Sequence, residues 1–150
     1  MVLPLLRILG FSVARRSDQE TRTVFDAVAG EGAVIPVIVG GWSESLDGAW
    51  RAAVLGGVRA DARWSFCVNG TALRIVDAQH TWSRAHVEFD LALVAREAEA
   101  RDLLWSVARA ESFSLSPPVL DRAVTLSADH GAVVCRALGA GVLEALGLLV

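Results

Sequence analysis

The chain has 150 residues, 53% of them hydrophobic, and a formal net charge of −3 at pH 7. This length suffices for one domain with a substantial core, with or without a helical extension. All 14 basic residues are arginine, which excludes chemistry that needs a lysine amine, such as Schiff-base formation. The acidic balance argues against a protein that binds nucleic acid by itself, but it leaves open a domain that contacts DNA as part of a larger protein.

The first part of the chain predicts a short helix followed by three strands. The helix is expected over Leu3–Leu9, and the strands over Phe11–Arg15, Thr23–Ala29 and Ala33–Val39. The third strand is continuously apolar, which is typical of a strand that is buried on both faces. Because Pro36 has no N–H group, we expect a bulge or an unpaired position there.

The middle of the chain predicts an amphipathic helix and a β-hairpin. Apolar or small residues recur at the spacing of one helical face: Leu46, Ala49, Trp50, Ala53, Val54, Gly57 and Val58. We expect the helix to pack on a sheet through Trp50, Val54 and Val58. Trp64–Val68 and Thr71–Asp77 read as two strands, and the Asn-Gly pair between them favours a type I′ turn, in which both central residues have positive φ.

The last part of the chain predicts one more strand and then helices. His86–Ala95 alternates between apolar and polar residues, as in a strand with one solvent-exposed side. Glu97–Ala110 is expected to be helical, Ser112–Pro118 to be a linker, and Val119–Leu149 to be helical again.

The two ends of the chain are apolar. The run Ala132–Val150 is about as long as a membrane span, but it contains Arg136, Glu144 and three glycines, which favours a helix that packs against protein. We find no convincing targeting segment and therefore expect a cytoplasmic protein without a membrane partner. Because the apolar pattern is uncapped at the C-terminus, we expect the chain to be a fragment of a longer protein.

The search for catalytic motifs is mostly negative. Cys67 and Cys135 are isolated, which argues against a disulfide framework or a zinc knuckle. His80, His86 and His130 lack the spacing of metal ligands. Phosphate-binding loops, dinucleotide fingerprints and nucleophile elbows do not occur in the sequence. The sequence therefore predicts neither catalytic residues nor a cofactor.

The order of the predicted elements resembles a known family. The segments LLRILGF, FDAVAGEG, VIPVIVGG, LDGAWRAAVLGGVRAD, WSFCVNG and TALRIVDA follow one another in this order. They are similar to the nuclease-like N-terminal domain of type I restriction subunits and of type IIG-like proteins, which fuse a methylase to an endonuclease. The resemblance covers roughly Leu5–Leu93 and is strongest over Trp64–Asp77.

The resemblance implies an α/β fold of the restriction-endonuclease type. This fold would be a mixed sheet of about four to six strands with flanking helices, followed by a C-terminal helical extension. The nuclease-like domain would occupy residues 1–111. Residues 112–150 would be a linker and the start of a helical connector that leads to a downstream methyltransferase domain.

The sequence departs from the family at the metal site. In the family one strand carries a metal-binding Asp and the next carries Glu-x-Lys. Asp26 stands at the first position, but Val37-Ile38-Val39 stands where Glu-x-Lys would be. Paired carboxylates hold Mg²⁺ and the Lys activates water or stabilises phosphate charge, and aliphatic side chains can do neither. We expect no catalytic residue and no metal site, with Asp26 either a surface carboxylate near a turn or a relic metal ligand.

Two classes of function remain open. The first is a non-catalytic accessory domain of a restriction-modification or phage-defence protein, which positions DNA or the adjoining methyltransferase. Its DNA-binding candidates are Arg15, Arg16, Arg22 and Arg84, which would then converge on one sheet edge. The alternative is a protein-interaction or oligomerisation module with no nucleic-acid role, which would show scattered arginines and an exposed apolar groove beside the final helix.

Overall fold

The structure, a computed structural model, describes residues 2–19, 22–30 and 32–147, with only the backbone described for 15–19, 133–137 and 139–147. Contacts between residues divide the chain into two compact units, with the boundary between Leu115 and Ser116. The sequence placed the boundary a few residues earlier, between 111 and 112.

The first unit combines a sheet with helices. In chain order it contains α1 (Val2–Ile8), β1 (Ser12–Gln19), β2 (Arg22–Ala29), β3 (Ala33–Val39), a 3-10 turn (Leu46–Ala49), α2 (Trp50–Ala60), β4 (Trp64–Val68), β5 (Ala72–Asp77), β6 (His86–Asp90), α3 (Leu91–Arg96), α4 (Ala98–Ala108) and α5 (Ala110–Ser114). The six strands pair in sequence order. Neighbouring strands are antiparallel except β3 and β4, which are parallel and are joined by α2. This α/β architecture with a mixed six-stranded sheet confirms the general fold prediction.

Helix α2 covers one face of the sheet, although not with the predicted set of residues. The buried core on this face consists of Ile38, Leu46, Ala49, Ala53, Cys67 and Val76. Trp50 and Val54 are only partly buried against it. Val58 is 69% exposed, so the prediction that it packs on the sheet is wrong. Gly57 is the buried residue here, because the helix approaches Ala78 so closely that only a hydrogen fits. Val58 lies about 100° further around the helix and faces solvent.

Aromatic side chains pack on the opposite face of the sheet. Phe66 of β4 lies edge-on to Phe11 and Phe113, with ring centroids 5.7 and 5.5 Å apart. Phe66 and Cys67 are neighbours in a strand, so their side chains point to opposite faces. The backbone N–H of Ala110 donates to the carbonyl of Leu9 at 2.8 Å, which joins the start of α5 to the end of α1. The centre of the sheet is therefore covered on both faces.

The β4–β5 connection is a hairpin, but not one with a type I′ turn. Gly70 has a φ of 89°, whereas Asn69 is absent from the described residues with positive φ. Instead, Asn69 Oδ1 accepts hydrogen bonds from the backbone N–H groups of Thr71 (3.0 Å) and Ala72 (2.7 Å). Its Nδ2 donates to the carbonyl of Glu44 at 2.7 Å. Asn69 therefore shapes the turn and also ties the loop after β3 to it.

The predicted strand over His86–Ala95 is wrong in its second half. The strand ends at Asp90 and a helix begins at Leu91. Asp90 Oδ1 accepts from the N–H groups of Ala92 (2.7 Å) and Leu93 (3.1 Å), which caps the helix. The capping hydrogen bonds thus override the alternating pattern of apolar residues.

The second unit contains α6 (Val119–Gly147), a 29-residue helix. This agrees with the predicted helix up to residue 147, and the last predicted residues, 148 and 149, lie outside the described part of the chain. Among the residues that the structure describes, none of the helices has the length and apolar character needed to cross a membrane.

Candidate functional site

Two clefts flank the β4–β5 turn, next to the carboxyl ends of the parallel strands β3 and β4. Ligands of open α/β sheets commonly bind beyond the carboxyl ends of such strands. The polar cleft has a volume of about 320 Å³ and is lined by Ser43, Glu44, Ser45, Asn69, Arg74, Glu88 and Asp90, among others. The apolar cleft has a volume of about 480 Å³ and is lined by residues of α1, α3 and α4. Thr71 lines both clefts.

A buried arginine forms the inner wall of the polar cleft. Arg74 Nη1 donates to Asp47 Oδ1 at 2.8 Å, and its Nε donates to Glu88 Oε2 at 2.6 Å. Burial alone would lower the pKa of Arg74, but the hydrogen bonds with the two carboxylates outweigh it and raise the pKa. The hydrogen bond from Arg74 is also the main reason why the pKa of Asp47 is lowered. Arg74 therefore stays charged, and its charge is already neutralised within the cleft wall.

A second arginine fixes the loop between β3 and the 3-10 turn. Arg22 Nη2 donates to Glu44 Oε1 at 2.9 Å, while Glu44 Oε2 accepts from the N–H of Gly41 at 2.8 Å. The Nη1 atom of Arg22 is buried without a hydrogen-bond partner among the described residues. Arg22 is thus committed to the loop, and a phosphate could recruit it only by displacing Glu44.

A buried carboxylate organises the loop after β5. Asp77 Oδ2 accepts from Arg63 Nη2 and lies 2.9 Å from His80 Nδ1, while its Oδ1 accepts from the N–H groups of Gln79 and His80. Burial alone would raise the pKa of Asp77, but these hydrogen bonds outweigh it and the pKa is lowered. Because its acceptor sites are occupied, Asp77 serves to hold this loop rather than to act as a catalytic base.

Asp26, which was expected to be either a surface carboxylate or a relic metal ligand, lies half-buried on β2. In the ladders it stands opposite Pro36 of β3 and Arg15 of β1. The register of β2 and β3 continues without a shift past Pro36, so the expected irregularity does not take the form of a bulge. Val37 and Ile38 are fully buried. Within the described ranges, no group of three or more His, Cys, Asp or Glu side chains could hold a metal ion.

Of the four candidate DNA-binding arginines, the structure describes the side chains of Arg22 and Arg84, and these two do not lie in one stripe. Arg15 and Arg16 lie on the edge strand β1, and their side chains are outside the described residues. Arg22 begins β2, next to the residue paired with the carboxyl end of β3. Arg84 is exposed in the β5–β6 connection, beyond the β5 residue that pairs with the amino end of β4. Arg22 and Arg84 therefore lie at opposite ends of the strands.

The sequence reading missed the ion pairs of the polar cleft. A signal was present, because Arg74 stands between the apolar residues Leu73 and Ile75 of a predicted strand and a buried charge needs partners. Its partners could not be identified from the sequence. Glu88 becomes a neighbour only through the β5–β6 register, and Asp47 only through the position of the 3-10 turn.

Comparison of the chain with protein-family models, with curated proteins and with solved structures found no match. A proposal about function therefore rests on the strand order, the residues around Asp26 and the two clefts.

Proposed function

We propose that this chain is a catalytically silent, nuclease-like accessory domain of a DNA restriction-modification or phage-defence protein, where it positions DNA or an adjoining methyltransferase domain. The observation that carries the proposal is the order of the elements: a helix, three antiparallel strands, a crossover helix, and a fourth strand parallel to the third. The same order underlies the resemblance to restriction proteins. Fold order alone does not fix a function, so the proposal depends on the following tests.

The residues next to Asp26 support the proposal of catalytic silence. Metal-dependent phosphodiester cleavage needs at least two acidic ligands and a group that activates water. The β3 residue opposite Asp26 is Pro36, and the neighbouring Val37 and Ile38 are buried and aliphatic. An arginine could supply charge to such a site but could not transfer a proton at neutral pH.

A plasmid-nicking assay with Mg²⁺ or Mn²⁺ tests catalytic silence. We expect no nicking above that of a buffer control. Asp26→Ala is the matched variant, since it removes the remaining carboxylate of the pattern. If the wild-type protein cut DNA and Asp26→Ala abolished the cutting, the proposal of a silent domain would be wrong.

DNA positioning is testable by fluorescence anisotropy with a labelled duplex at low and at physiological salt. We expect weak binding, with a Kd on the order of 10⁻⁴–10⁻⁶ M at physiological salt. The double variant Arg15→Gln/Arg16→Gln should weaken it, whereas Arg59→Gln, at an exposed position of α2, is the control for an arginine lost elsewhere. Arg22→Gln is not suitable, because it would also release Glu44. The loss of binding free energy is compared per arginine removed. If Arg59→Gln caused the same loss per arginine as Arg15→Gln/Arg16→Gln, β1 would not be the edge that contacts DNA.

Exposed large apolar residues favour a second candidate function, that of a protein-interaction module. Trp82 is 80% exposed, and Leu103 and Trp105 of α4 are 57% and 44% exposed. Tryptophan is enriched among the residues that contribute most to protein interfaces. Sedimentation velocity over a wide concentration range, with Trp82→Ser and Trp105→Ser as variants, tests self-association. Concentration-dependent dimers that either substitution removes, together with undetectable DNA binding, would favour this candidate over the first.

A further inference from the structure

The apolar cleft is built almost entirely from hydrocarbon. Its walls come from Val2 and Leu5 of α1, Leu91 and Val94 of α3, and Leu104 of α4. Helix α3 has no buried residue, although five of its six residues are apolar. Four of them, Leu91, Ala92, Val94 and Ala95, line an open space instead of being packed into the core.

Water is a poor occupant for such a space. At about 30 Å³ per molecule, a volume of about 480 Å³ corresponds to roughly 16 waters. A buried or half-enclosed water needs two to four polar partners, and the walls offer few. The volume also lies in the range of about 300–1,000 Å³ that is typical of small-molecule sites. The cleft is therefore better suited to an apolar group than to solvent.

One cationic side chain stands at the cleft. Arg101 of α4 lines it and is exposed, so its methylene groups can follow the apolar wall while the guanidinium stays in water at the rim. The arginines of the polar regions, Arg22, Arg63 and Arg74, are each paired with a carboxylate. For Arg101, the described residues provide no ion-pair partner. An apolar cleft with one unneutralised cation at its rim is complementary to an amphipathic anion.

We propose that the apolar cleft binds an amphipathic anion, a hydrocarbon chain that ends in a carboxylate. The chain lies between α1 and α3, and the carboxylate faces Arg101. This site is independent of the proposed role in DNA positioning, because the cleft shares no residue with the candidate DNA-binding arginines or with Asp26.

Calorimetric titration of the full chain with decanoate and with decanol, both below their aggregation limits, tests the proposal. We expect saturable binding of both, and about fourfold tighter binding for each methylene added from octanoate to dodecanoate. Trp42, which is 71% exposed and lines the cleft, should report the same binding by its fluorescence.

Matched variants separate the contributions of charge and of the cleft. Arg101→Gln should weaken decanoate binding by about two- to fivefold and leave decanol unchanged, as expected for an exposed ion pair. Arg96→Gln, an exposed arginine of α3 that does not line the cleft, should change neither. Ala95→Trp, at an exposed position in the cleft wall, should abolish both while the circular dichroism spectrum stays that of the wild type.

Three results would overturn the proposal. If neither decanoate nor decanol bound saturably to the wild-type chain, the cleft would not be a site for an amphipathic anion, and a protein partner would be the remaining occupant. Binding that survives Ala95→Trp would place the ligand elsewhere. If Arg101→Gln and Arg96→Gln changed decanoate binding equally, the carboxylate would not face Arg101.

Discussion

Gly57→Ala is the substitution whose effect the structure defines most sharply. A β-carbon at this position would lie 2.4 Å from the Cβ of Ala78, 2.9 Å from the carbonyl oxygen of Ala62 and 3.1 Å from Oγ of Ser65. Carbon atoms pack best at about 3.5–4.0 Å. Because both β-carbons are attached directly to the backbone, no rotamer change can relieve the contact. Helix α2 would have to move by about 1 Å relative to the end of β5.

Two opposing effects set the magnitude. Alanine stabilises a helix interior by about 0.5–1 kcal/mol relative to glycine. Overpacking a well-packed core costs about 1–3 kcal/mol and occasionally more. Here the closest contact involves backbone-anchored atoms on both sides, so we place the steric cost at the upper end of that range. The expected net loss in the free energy of unfolding is about 2 kcal/mol.

Gly56→Ala is the matched control, one residue earlier in the same helix. Its β-carbon would lie 3.1 Å from the Cβ of Pro36 and 3.7 Å from Cδ1 of Ile38, which a shift of a few tenths of an ångström relieves. We expect its stability to stay within about 1 kcal/mol of the wild type. Urea unfolding followed by tryptophan fluorescence is the assay, because all five tryptophans lie in the first unit. If Gly57→Ala were as stable as Gly56→Ala, the close approach of α2 to β5 would be wrong.

Three further predictions follow from burial and charge. Trp50→Ala should lower the free energy of unfolding by about 1–3 kcal/mol, less than the roughly 3–5 kcal/mol typical of a fully buried aromatic residue, because Trp50 is only partly buried. An unchanged free energy of unfolding would place the Trp50 side chain in solvent. Asp77→Asn should cost about 2–4 kcal/mol at pH 7, because it would remove the anionic acceptor of the partly buried Arg63 guanidinium. Since the folded pKa of Asp77 is lowered, its stabilisation is present above an unfolded pKa near 3.9 and is lost as the pH falls through the folded pKa. Acid unfolding of Asp77→Asn should accordingly depend less on pH than that of the wild type as the pH falls below about 5, and parallel curves for both proteins would contradict this. Burial raises the pKa of the Cys67 thiol to about 12. In a Cys135→Ser background this thiol should therefore react with Ellman's reagent at pH 8 only after denaturation. Rapid labelling of the native protein would show that Cys67 is accessible.

The sequence by itself determined the elements whose signals are local. The bounds of β3 and β4 agree with the prediction, because a continuous apolar run between glycines or polar residues leaves little choice of start and end. The existence of a helix between β3 and β4 was readable because its apolar residues recur at the spacing of one helical face. Local signals failed where two of them competed, as at Asp90, where a helix cap interrupts an alternating pattern.

Only the tertiary structure decided which distant residues meet. Periodicity allowed Val58 on the buried face of α2, and the close approach of Gly57 to Ala78 excluded it. The pairing of Arg74 with Glu88 depends on a strand register that no single segment encodes. The apolar cleft likewise exists because α1, α3 and α4 leave a space that none of their sequences describes alone. Contacts across the sheet depend on the position of every intervening element, and side-chain chemistry in one segment does not contain that information.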